Sequence, residues 1–395
     1  MGNEKLQYIL GSKPLVAIGL ISYPLYLWHW PILSFLRIIS EEGGLPKGLK
    51  ILASILSVGL AYLTYRYIEK PLRFSRNSYV FFGLILSLIL TGTISLLIFY
   101  QNGVDTRFPT AEANAQQFQL MSKGNFSNLP RIDCKLFSIK NEGLGCYIAN
   151  PQKKPSIIAL GDSHAVHNTI GLVDYLTNSN QNFSIIYQAG CLPYFNTQVF
   201  RGEIETCSNG MKQALDFTIE TKEIKTVLLT SRGSWYIHGG DFKSNTGGFK
   251  IGILGNDSMQ NSSDIFYKGL HDTIYQLIYA GKKVIFVIDN PELGFNPKHC
   301  SKSRPLYLVD NYNADCAQSI GDTREYDKEY KEIIKKIINE FPSIKVLDAP
   351  KYLCDNSKCY AKIDDTILYS DKNHLSLAGS AFIGEKFFHE IGTFQ

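Results

Sequence analysis

The strongest constraint on the fold is an apolar amino-terminal region followed by a much more polar chain. Three long apolar stretches lie there: residues 14–36, 51–65 and 81–99. A helix of about 20 apolar residues crosses a bilayer, and a shorter span can be completed by flanking Lys50 and Arg66. We therefore expect three transmembrane helices within residues 1–100, followed by an extramembrane part, residues 101–395.

The basic residues predict the orientation of these spans. The amino-terminal tail and the segment between the second and third spans hold Lys5, Lys13, Arg66, Lys70, Arg73 and Arg76, whereas the loop between the first two spans holds Arg37, Lys47 and Lys50. The positive-inside rule places the richer group in the cytoplasm, so residues 101–395 are expected outside it. The formal net charge is only +4, and nucleic-acid binding is not expected.

The cysteines point to the same compartment. All eight follow residue 130: Cys134, Cys146, Cys191, Cys207, Cys300, Cys316, Cys354 and Cys359. Their even number and close spacing favour disulfides between consecutive cysteines, although the sequence does not fix the connectivity. Disulfides would indicate an oxidising compartment, and the alternative is a cytosolic domain with free thiols. No Cys or His spacing is typical of a metal site, so none is expected.

From residue 156 onwards, short β-rich runs alternate with helical stretches. The runs are Ser156–Leu160, Phe183–Gln188, Thr226–Thr230, Lys283–Ile288 and Ile344–Leu347. Helices are expected near 165–178, 208–221, 262–280, 323–341 and 376–390. This pattern predicts an α/β domain over 156–395 with a five-stranded parallel sheet, and its sites should lie at the carboxyl ends of the strands. Residues 101–155 are expected to be a linker, with a short helix at 111–121 and a loop closed by Cys134 and Cys146.

Two motifs stand at such positions. Gly161-Asp162-Ser163-His164 follows the first run, and Asp371-Lys372-Asn373-His374 precedes the last helix. A serine, a histidine and an acidic residue can act as nucleophile, base and orienting group. Each motif alone could be a helix cap, since Asp and Ser are common caps. The two together predict a catalytic site of Ser163, His374 and Asp371.

These motifs resemble the first and last sequence blocks of SGNH hydrolases and transferases, over about residues 155–395. The resemblance implies a three-layer, flavodoxin-like domain in which Ser163 is the nucleophile. It also implies that the amides of Ser163 and Gly190 hold the oxyanion. The family's third donor is an asparagine, but Ser231-Arg232-Gly233 stands at the expected place. Arg232 or a backbone amide is the expected substitute.

The apolar region carries a second resemblance. Tyr23-Pro24-Leu25-Tyr26-Leu27-Trp28-His29-Trp30-Pro31 and Glu69-Lys70-Pro71-Leu72-Arg73 resemble the end of the membrane domain of bacterial acyltransferase-3 proteins. Members of that family fused to an SGNH domain O-acetylate surface polysaccharides such as lipopolysaccharide O-antigen. This implies a multi-pass inner-membrane protein and a polysaccharide or lipid-linked glycan acceptor. The implied acetyl donor is acetyl-CoA acting through a separate membrane domain, with a partner supplying further spans and no cofactor bound to this chain.

Several residues are weaker candidates. Asn290, which follows the fourth run, and Arg232 are expected to line the substrate pocket. Trp235 could stack on a sugar ring, although aromatic residues are more often packed in a core. His164 and His167 lie beside Ser163, and His164 is expected to position the loop.

The prediction is a membrane-anchored O-acyltransferase that carries an acetyl group on Ser163 and passes it to a sugar hydroxyl. Two alternatives remain open at this point. The same three residues in an esterase would pass the acetyl group to water. A non-catalytic domain would instead bind glycan beside a separate membrane acyltransferase.

Overall fold

The computed structural model describes most of the chain. It covers residues 10–40, 46–101, 103, 126, 128–140, 143–207, 209–243, 248–253, 261–300, 315–364 and 366–392. This described part divides into two compact units, an amino-terminal helical unit and a larger α/β unit. The helix expected at 111–121 lies outside the described residues.

The helical unit contains the expected spans. Among the described residues, three helices are long and apolar enough to cross a membrane: α1 (Lys13–Ser40), α2 (Lys47–Arg73) and α3 (Ser78–Tyr100). Helix α2 passes through a π-helical turn at Tyr65–Glu69. It buries Ala53, Ser57 and Ala61, spaced four residues apart, and small residues at this spacing let two helices approach closely. The Trp28 indole N–H of α1 donates to the Thr64 hydroxyl of α2 over 2.9 Å.

The α/β unit is built on a mainly parallel sheet, as expected. Within the described residues this sheet has seven strands, in the order β1-β2-β4-β3-β7-β9-β11. They are β1 (Arg131–Ile132), β2 (Gly145–Ile148), β3 (Ile157–Gly161), β4 (Phe183–Tyr187), β7 (Thr226–Thr230), β9 (Lys283–Ile288) and β11 (Lys345–Asp348). The last five pair in parallel and match the five predicted runs to within a residue at nearly every end.

The expected linker departs from the prediction. Strand β2 pairs antiparallel with β4, and β1 pairs antiparallel with β2, so residues 131–148 extend the sheet beyond its five parallel strands. The β2 run is only 4 residues long, and so short a run gives a weak local signal for a strand. A sheet edge accepts any strand whose backbone groups are free, so pairing by β2 depends on tertiary contact more than on local pattern.

Helices cover both faces of the sheet because its strands are apolar on both sides. In β3, Ile158 and Leu160 face one core while Ile157 and Ala159 face the other. Helices α6 (Gly210–Glu220), α7 (Gly233–His238), α8 (Ser262–Tyr279) and α10 (Lys328–Glu340) contribute to the first core. Helices α4 (Ser163–Thr169), α5 (Val173–Asn178) and α12 (Leu377–Ile391) contribute to the second, with a 3₁₀ turn at Ile170–Leu172.

Smaller elements surround this frame. A three-stranded sheet joins β6 (Ile204–Glu205), β5 (Thr197–Arg201) and β8 (Phe249–Ile253) in that order. Two antiparallel pairs link β10 (Ala317–Ser319) with β12 (Lys358–Tyr360), and β13 (Lys362–Ile363) with β14 (Thr366–Ile367). Two short helices, α9 (Ile320–Tyr326) and α11 (Pro350–Leu353), and two further 3₁₀ turns, Cys134–Phe137 and Pro297–Cys300, complete the unit's described elements.

The eight cysteines form four disulfides, and the expected pairing of consecutive cysteines is confirmed. The pairs are Cys134–Cys146, Cys191–Cys207, Cys300–Cys316 and Cys354–Cys359. Each closes a loop of 5 to 16 residues. Short loops of this kind hold local segments in place and also reduce the entropy of the unfolded chain.

Candidate active site

The carboxyl ends of the parallel strands bring the two sequence motifs together. Strand β3 ends at Gly161, and after the N-cap residue Asp162 the helix α4 begins at Ser163. His374 lies in the loop before α12, 211 residues further along the chain. The His374 Nε2 atom nevertheless lies 2.8 Å from the Ser163 Oγ atom. This edge of the sheet is therefore the candidate site.

Asp371, His374 and Ser163 form one line of hydrogen bonds. The His374 Nδ1 atom lies 2.8 Å from Asp371 Oδ2, and Asp371 Oδ1 accepts the backbone N–H groups of Asn373 and His374 at 2.9 and 2.8 Å. Burial alone would raise the pKa of Asp371, but His374 and these two N–H groups hold it well below its usual range. The ionised carboxylate therefore accepts a hydrogen bond from the Nδ1–H group, which leaves the Nε2 lone pair to accept a hydrogen bond from the Ser163 hydroxyl.

The residue before Ser163, Asp162, is held by several hydrogen bonds and so fixes the start of α4. Asp162 is 1% exposed and accepts three hydrogen bonds, from the His164 and Arg232 backbone N–H groups and the Tyr236 hydroxyl, at 2.9 to 3.0 Å. Gly161 allows the strand to end this close to β7, since a Cβ atom there would lie 2.2 Å from the Thr230 carbonyl oxygen. The start of α4 is thereby tied to the end of β7.

The loop that carries His374 is held through its backbone carbonyl groups. The Leu293 N–H donates to the Lys372 carbonyl over 2.7 Å, and the Asn290 side-chain amide donates to the Asn373 carbonyl over 2.8 Å. The Ser370 N–H donates to the His374 carbonyl over 2.8 Å. His167 Nδ1 donates to the next carbonyl, that of Leu375. Four successive carbonyls, at residues 372–375, therefore accept hydrogen bonds, and this loop has little freedom to move.

His164 and His167 both contact the His374 ring. Their ring centroids lie 4.8 and 4.4 Å from that of His374. The Nδ1 atom of fully buried His164 is 2.7 Å from Asp289 Oδ1, and His167 donates from Nδ1 to the Leu375 carbonyl over 2.9 Å. Burial lowers the pKa of His164 to about 4 and that of His167 to about 3, so both rings are neutral at neutral pH.

Gly190 lies after β4 in the left-handed region, with φ of +68°. A residue with a Cβ atom rarely adopts this conformation, so a glycine is required to turn the chain here. Apart from its two chain neighbours, no described residue has an atom within 4 Å of the place a Cβ would occupy, so the backbone borders open space there. The Cys191–Cys207 disulfide anchors the chain directly after it.

Arg232 lies at the end of β7, where the family's asparagine is absent, but two acidic residues engage its guanidinium. Its Nε and Nη2 atoms bind Glu292 over 2.7 and 2.6 Å, and Nη2 also lies 2.9 Å from Asp241. The side chain is 13% exposed. It lies over the Trp235 ring, with the guanidinium carbon 5.3 Å from the ring centroid. Glu292 and Asp241 therefore hold the guanidinium in place.

Two predicted substrate contacts have other surroundings in the structure. Trp235 is 7% exposed and packs against Phe249 with ring centroids 4.4 Å apart, so its assignment as a sugar-stacking residue was wrong. Asn290 is 3% exposed, and its amide supports the loop beside His374. It therefore contacts the site through the Asn373 carbonyl.

Sequence reasoning missed one acidic residue of this region. Asp289 directly follows β9, lies within 2.7 Å of His164 Nδ1 and also accepts the Asn168 amide over 2.9 Å. Burial raises its pKa to about 7. The signal that could have revealed it was its place at the carboxyl end of a parallel strand, directly before the candidate Asn290. Among the described residues, no group of His, Cys, Asp or Glu side chains is arranged to hold a metal ion.

Comparison with known proteins identifies the domain. Residues 133–388 match the family model "SGNH domain (fused to AT3 domains)", which covers more than half of the chain. The chain belongs to this family. The match begins before the five parallel strands, so it includes the antiparallel strand β2, which the sequence analysis had placed in a linker.

Individual relatives cover smaller parts. O-acetyltransferase OatA of Staphylococcus aureus strain NCTC 8325 / PS 47 is 42% identical over 64 residues, which are 16% of this chain and 11% of that protein. A solved periplasmic domain of a Salmonella ser. Paratyphi A lipopolysaccharide acetyltransferase is 21% identical over 60% of this chain and 84% of its own, with a TM-score of 0.39. The solved structure of the acetyl xylan esterase AlAXEase is 16% identical over 60% of this chain and 99% of its own, with a TM-score of 0.34.

Proposed function

We propose that this protein is a membrane-anchored O-acyltransferase that transfers an acetyl group to a sugar hydroxyl of a cell-surface polysaccharide. The observation that carries the proposal is the hydrogen-bonded line from Ser163 through His374 to Asp371, with both contacts at 2.8 Å. Nucleophile, base and orienting group stand in this order in enzymes that form acyl-serine intermediates. Membership of the SGNH family supports the same chemistry.

The proposed first half-reaction forms an ester on Ser163. The Ser163 Oγ atom attacks the carbonyl carbon of the acetyl donor while His374 Nε2 takes the hydroxyl proton. The N–H groups of Ser163 and Gly190 would hold the oxyanion of the tetrahedral intermediate. The intermediate collapses by breaking the bond to the donor, and the His374 imidazolium returns its proton to the leaving group.

The second half-reaction reverses these roles. A sugar hydroxyl loses its proton to His374 Nε2 as its oxygen attacks the acetyl-serine carbonyl. Collapse of the second intermediate releases Ser163, which recovers the proton from His374. Asp371 stabilises the imidazolium in both halves because its carboxylate stays ionised beside Nδ1.

The proposed setting is the outer side of a bacterial inner membrane, with the α/β unit in the periplasm. The three apolar helices support anchoring, and the four disulfides support an oxidising compartment. The proposed donor is acetyl-CoA acting through a separate membrane domain, supplied by a partner. The proposed acceptor is a polysaccharide or a lipid-linked glycan. The name of the OatA relative supports the acetyl group.

The test uses the full chain purified in detergent with p-nitrophenyl acetate as donor and a soluble oligosaccharide as acceptor. We expect Ser163-dependent acetylated oligosaccharide by mass spectrometry. Ser163→Ala should abolish it, whereas Ser179→Ala, which changes an exposed serine of the same domain, should not. Free acetate without acetylated sugar would indicate an esterase. If neither acetylated sugar nor free acetate forms in a Ser163-dependent way, the domain has only a binding role.

A further inference from the structure

The most unusual feature around the candidate site is the packing of three imidazole rings. Ser163, His164 and His167 all belong to α4. Residues three or four apart lie on the same face of a helix, so the hydroxyl of Ser163 and the ring of His167 are presented together. The His374 ring rests against both histidine rings of this helix, at 4.8 and 4.4 Å between centroids.

We propose that His164 and His167 form an imidazole seat that positions the His374 ring over the Ser163 hydroxyl. The seat is defined by these two side chains, and both are positioning residues that act through His374. This inference rests on the proposed function, because it concerns the base of the proposed reaction. Since the seat and the nucleophile share one short helix, any movement of that helix moves both together.

The His374 ring needs such support because its hydrogen-bond partner Asp371 is exposed to solvent. The side chains of His374 and Asp371 are 24% and 53% exposed. Water competes for an exposed ion pair, so the hydrogen bond to Asp371 alone constrains the ring weakly. The seat, in contrast, is formed by a fully buried ring and a partly buried one. A buried contact surface does not exchange with water and fixes the ring plane.

Each ring of the seat is itself anchored. His164 is held by Asp289 at 2.7 Å, and Asp289 Oδ1 also accepts the Asn168 amide at 2.9 Å and the Asn290 N–H at 3.0 Å. His167 is held by the Leu375 carbonyl, one residue after His374. The seat therefore connects α4, the end of β9 and the loop that carries the base.

The seat is also compatible with the charge that forms on His374 during the reaction. Burial lowers the pKa of His164 and of His167, so neither ring carries a proton at neutral pH. Two neutral imidazoles can contact an imidazolium without repelling it. Two charged ones would oppose proton transfer to His374.

The test uses the full chain in detergent with two measurements. A fluorophosphonate probe reports the rate at which Ser163 is modified, and heteronuclear NMR of histidine-labelled protein reports the His374 ring. Signals of the chain's eight histidines are assigned by single replacements. The variants are His164→Ala, His167→Gln, which keeps a donor for Leu375 but removes the ring, and His167→Phe, which keeps a ring. His389→Ala, an exposed histidine on α12, is the control.

We expect His164→Ala and His167→Gln to slow probe labelling about 10- to 100-fold, because small displacements of a base cost this much. Their His374 ring signals should broaden or split. His167→Phe should restore both properties toward wild type, and His389→Ala should change neither. Wild-type labelling and a single unchanged His374 signal in both His164→Ala and His167→Gln would overturn the seat. If wild-type Ser163 does not react with the probe at all, the proposed function fails. The His374 NMR signals of the variants then still test whether the seat positions the ring.

Discussion

Single carboxylates decide the local order of this domain because each one serves several donors. Asp162 links β3, α4 and β7 by accepting three hydrogen bonds while almost fully buried. Asp327, between α9 and α10, accepts the Ser234 hydroxyl over 2.6 Å and is 8% exposed. A buried carboxylate is stable only when enough donors surround it. The two residues differ in how many donors they have.

Asp327 makes the stability of the domain depend on pH. Burial raises its pKa from the ordinary 3.8 to about 6, although the Ser234 hydrogen bond opposes the shift. The folded state therefore binds the proton more tightly than the unfolded state, and stability should fall by about 3 kcal/mol as pH rises from about 4 to about 6. Asp327→Asn, which can still accept from Ser234, should remove this loss. The thermal unfolding midpoints of the wild type and of Asp327→Asn, measured from pH 4 to 8, test this. A difference between the two midpoints that does not change with pH would contradict the prediction.

At the scale of elements, the site depends on how closely α12 packs against the 3₁₀ turn after α4. The Gly171 N–H donates to the Ser380 hydroxyl over 3.0 Å. A Cβ atom on Gly384 would lie 2.4 Å from the Gly171 carbonyl carbon. Only backbone stands there, and backbone cannot move aside without shifting a whole element. Gly384 therefore sets the distance between α12, which follows the His374 loop, and the 3₁₀ turn that follows α4.

Gly384→Ala tests this packing. The added methyl group should push α12 away from the 3₁₀ turn and destabilise the domain by about 1–3 kcal/mol, the usual cost of overpacking. Acetyl transfer should fall as well, because His374 precedes the same helix. Chemical unfolding and the transfer assay measure the two effects. The matched control is Lys386→Ala, on an outer position of α12, and an equal effect of both substitutions would contradict the explanation.

The disulfide beside Gly190 should matter for catalysis more than its loop length implies. Replacing Cys191 and Cys207 by serine should cost about 3 kcal/mol, because a loop of this size regains entropy in the unfolded chain. It should also lower acetyl transfer by freeing the Gly190 turn. The matched control replaces Cys300 and Cys316, which have the same sequence separation of 16. We expect the two double variants to lose the same stability, but the Cys191/Cys207 variant to lose more acetyl transfer than the control. If both variants lose transfer equally, the Gly190 turn has no special role.

At the scale of the whole molecule, an apolar helical unit is joined to a disulfide-bonded α/β unit. Helix α3 buries none of its residues within the structure, and it is mostly apolar with no charged side chain. Such a surface is stable in lipid and unstable in water. The α/β unit instead has two buried apolar cores, and charged side chains such as Lys154 and Glu223 lie exposed at its surface. The two units therefore suit different solvents.

The proposed orientation can be tested with added cysteines, since all native cysteines are in disulfides. Ser179→Cys in the α/β unit should react with a membrane-impermeant maleimide in intact bacterial cells. Ser75→Cys, between α2 and α3, should react only after the inner membrane is permeabilised, because the proposed orientation places this basic segment in the cytoplasm. The wild-type chain is the unlabelled control. The reverse pattern of labelling would mean that the orientation is inverted.

The sequence alone determined the features that depend on local pattern. Uninterrupted β-branched and aliphatic runs are typical of buried parallel strands, so the five strands were predicted almost to the residue. Charge-free stretches of sufficient length predicted the three apolar helices. The two short motifs placed Ser163, His374 and Asp371 at strand and helix ends. Close spacing also favoured the disulfide pairing that the structure contains.

Only the tertiary structure decided which surroundings each side chain has. The antiparallel edge of the sheet, the burial of Trp235 and the pairing of Arg232 with Glu292 depend on segments far apart in the chain. The same holds for the contact of His164 with Asp289, 125 residues away. Local propensity carries no information about such neighbours, because they meet only when helices and strands pack. The line of site residues could be predicted, whereas the groups that hold it in place could not.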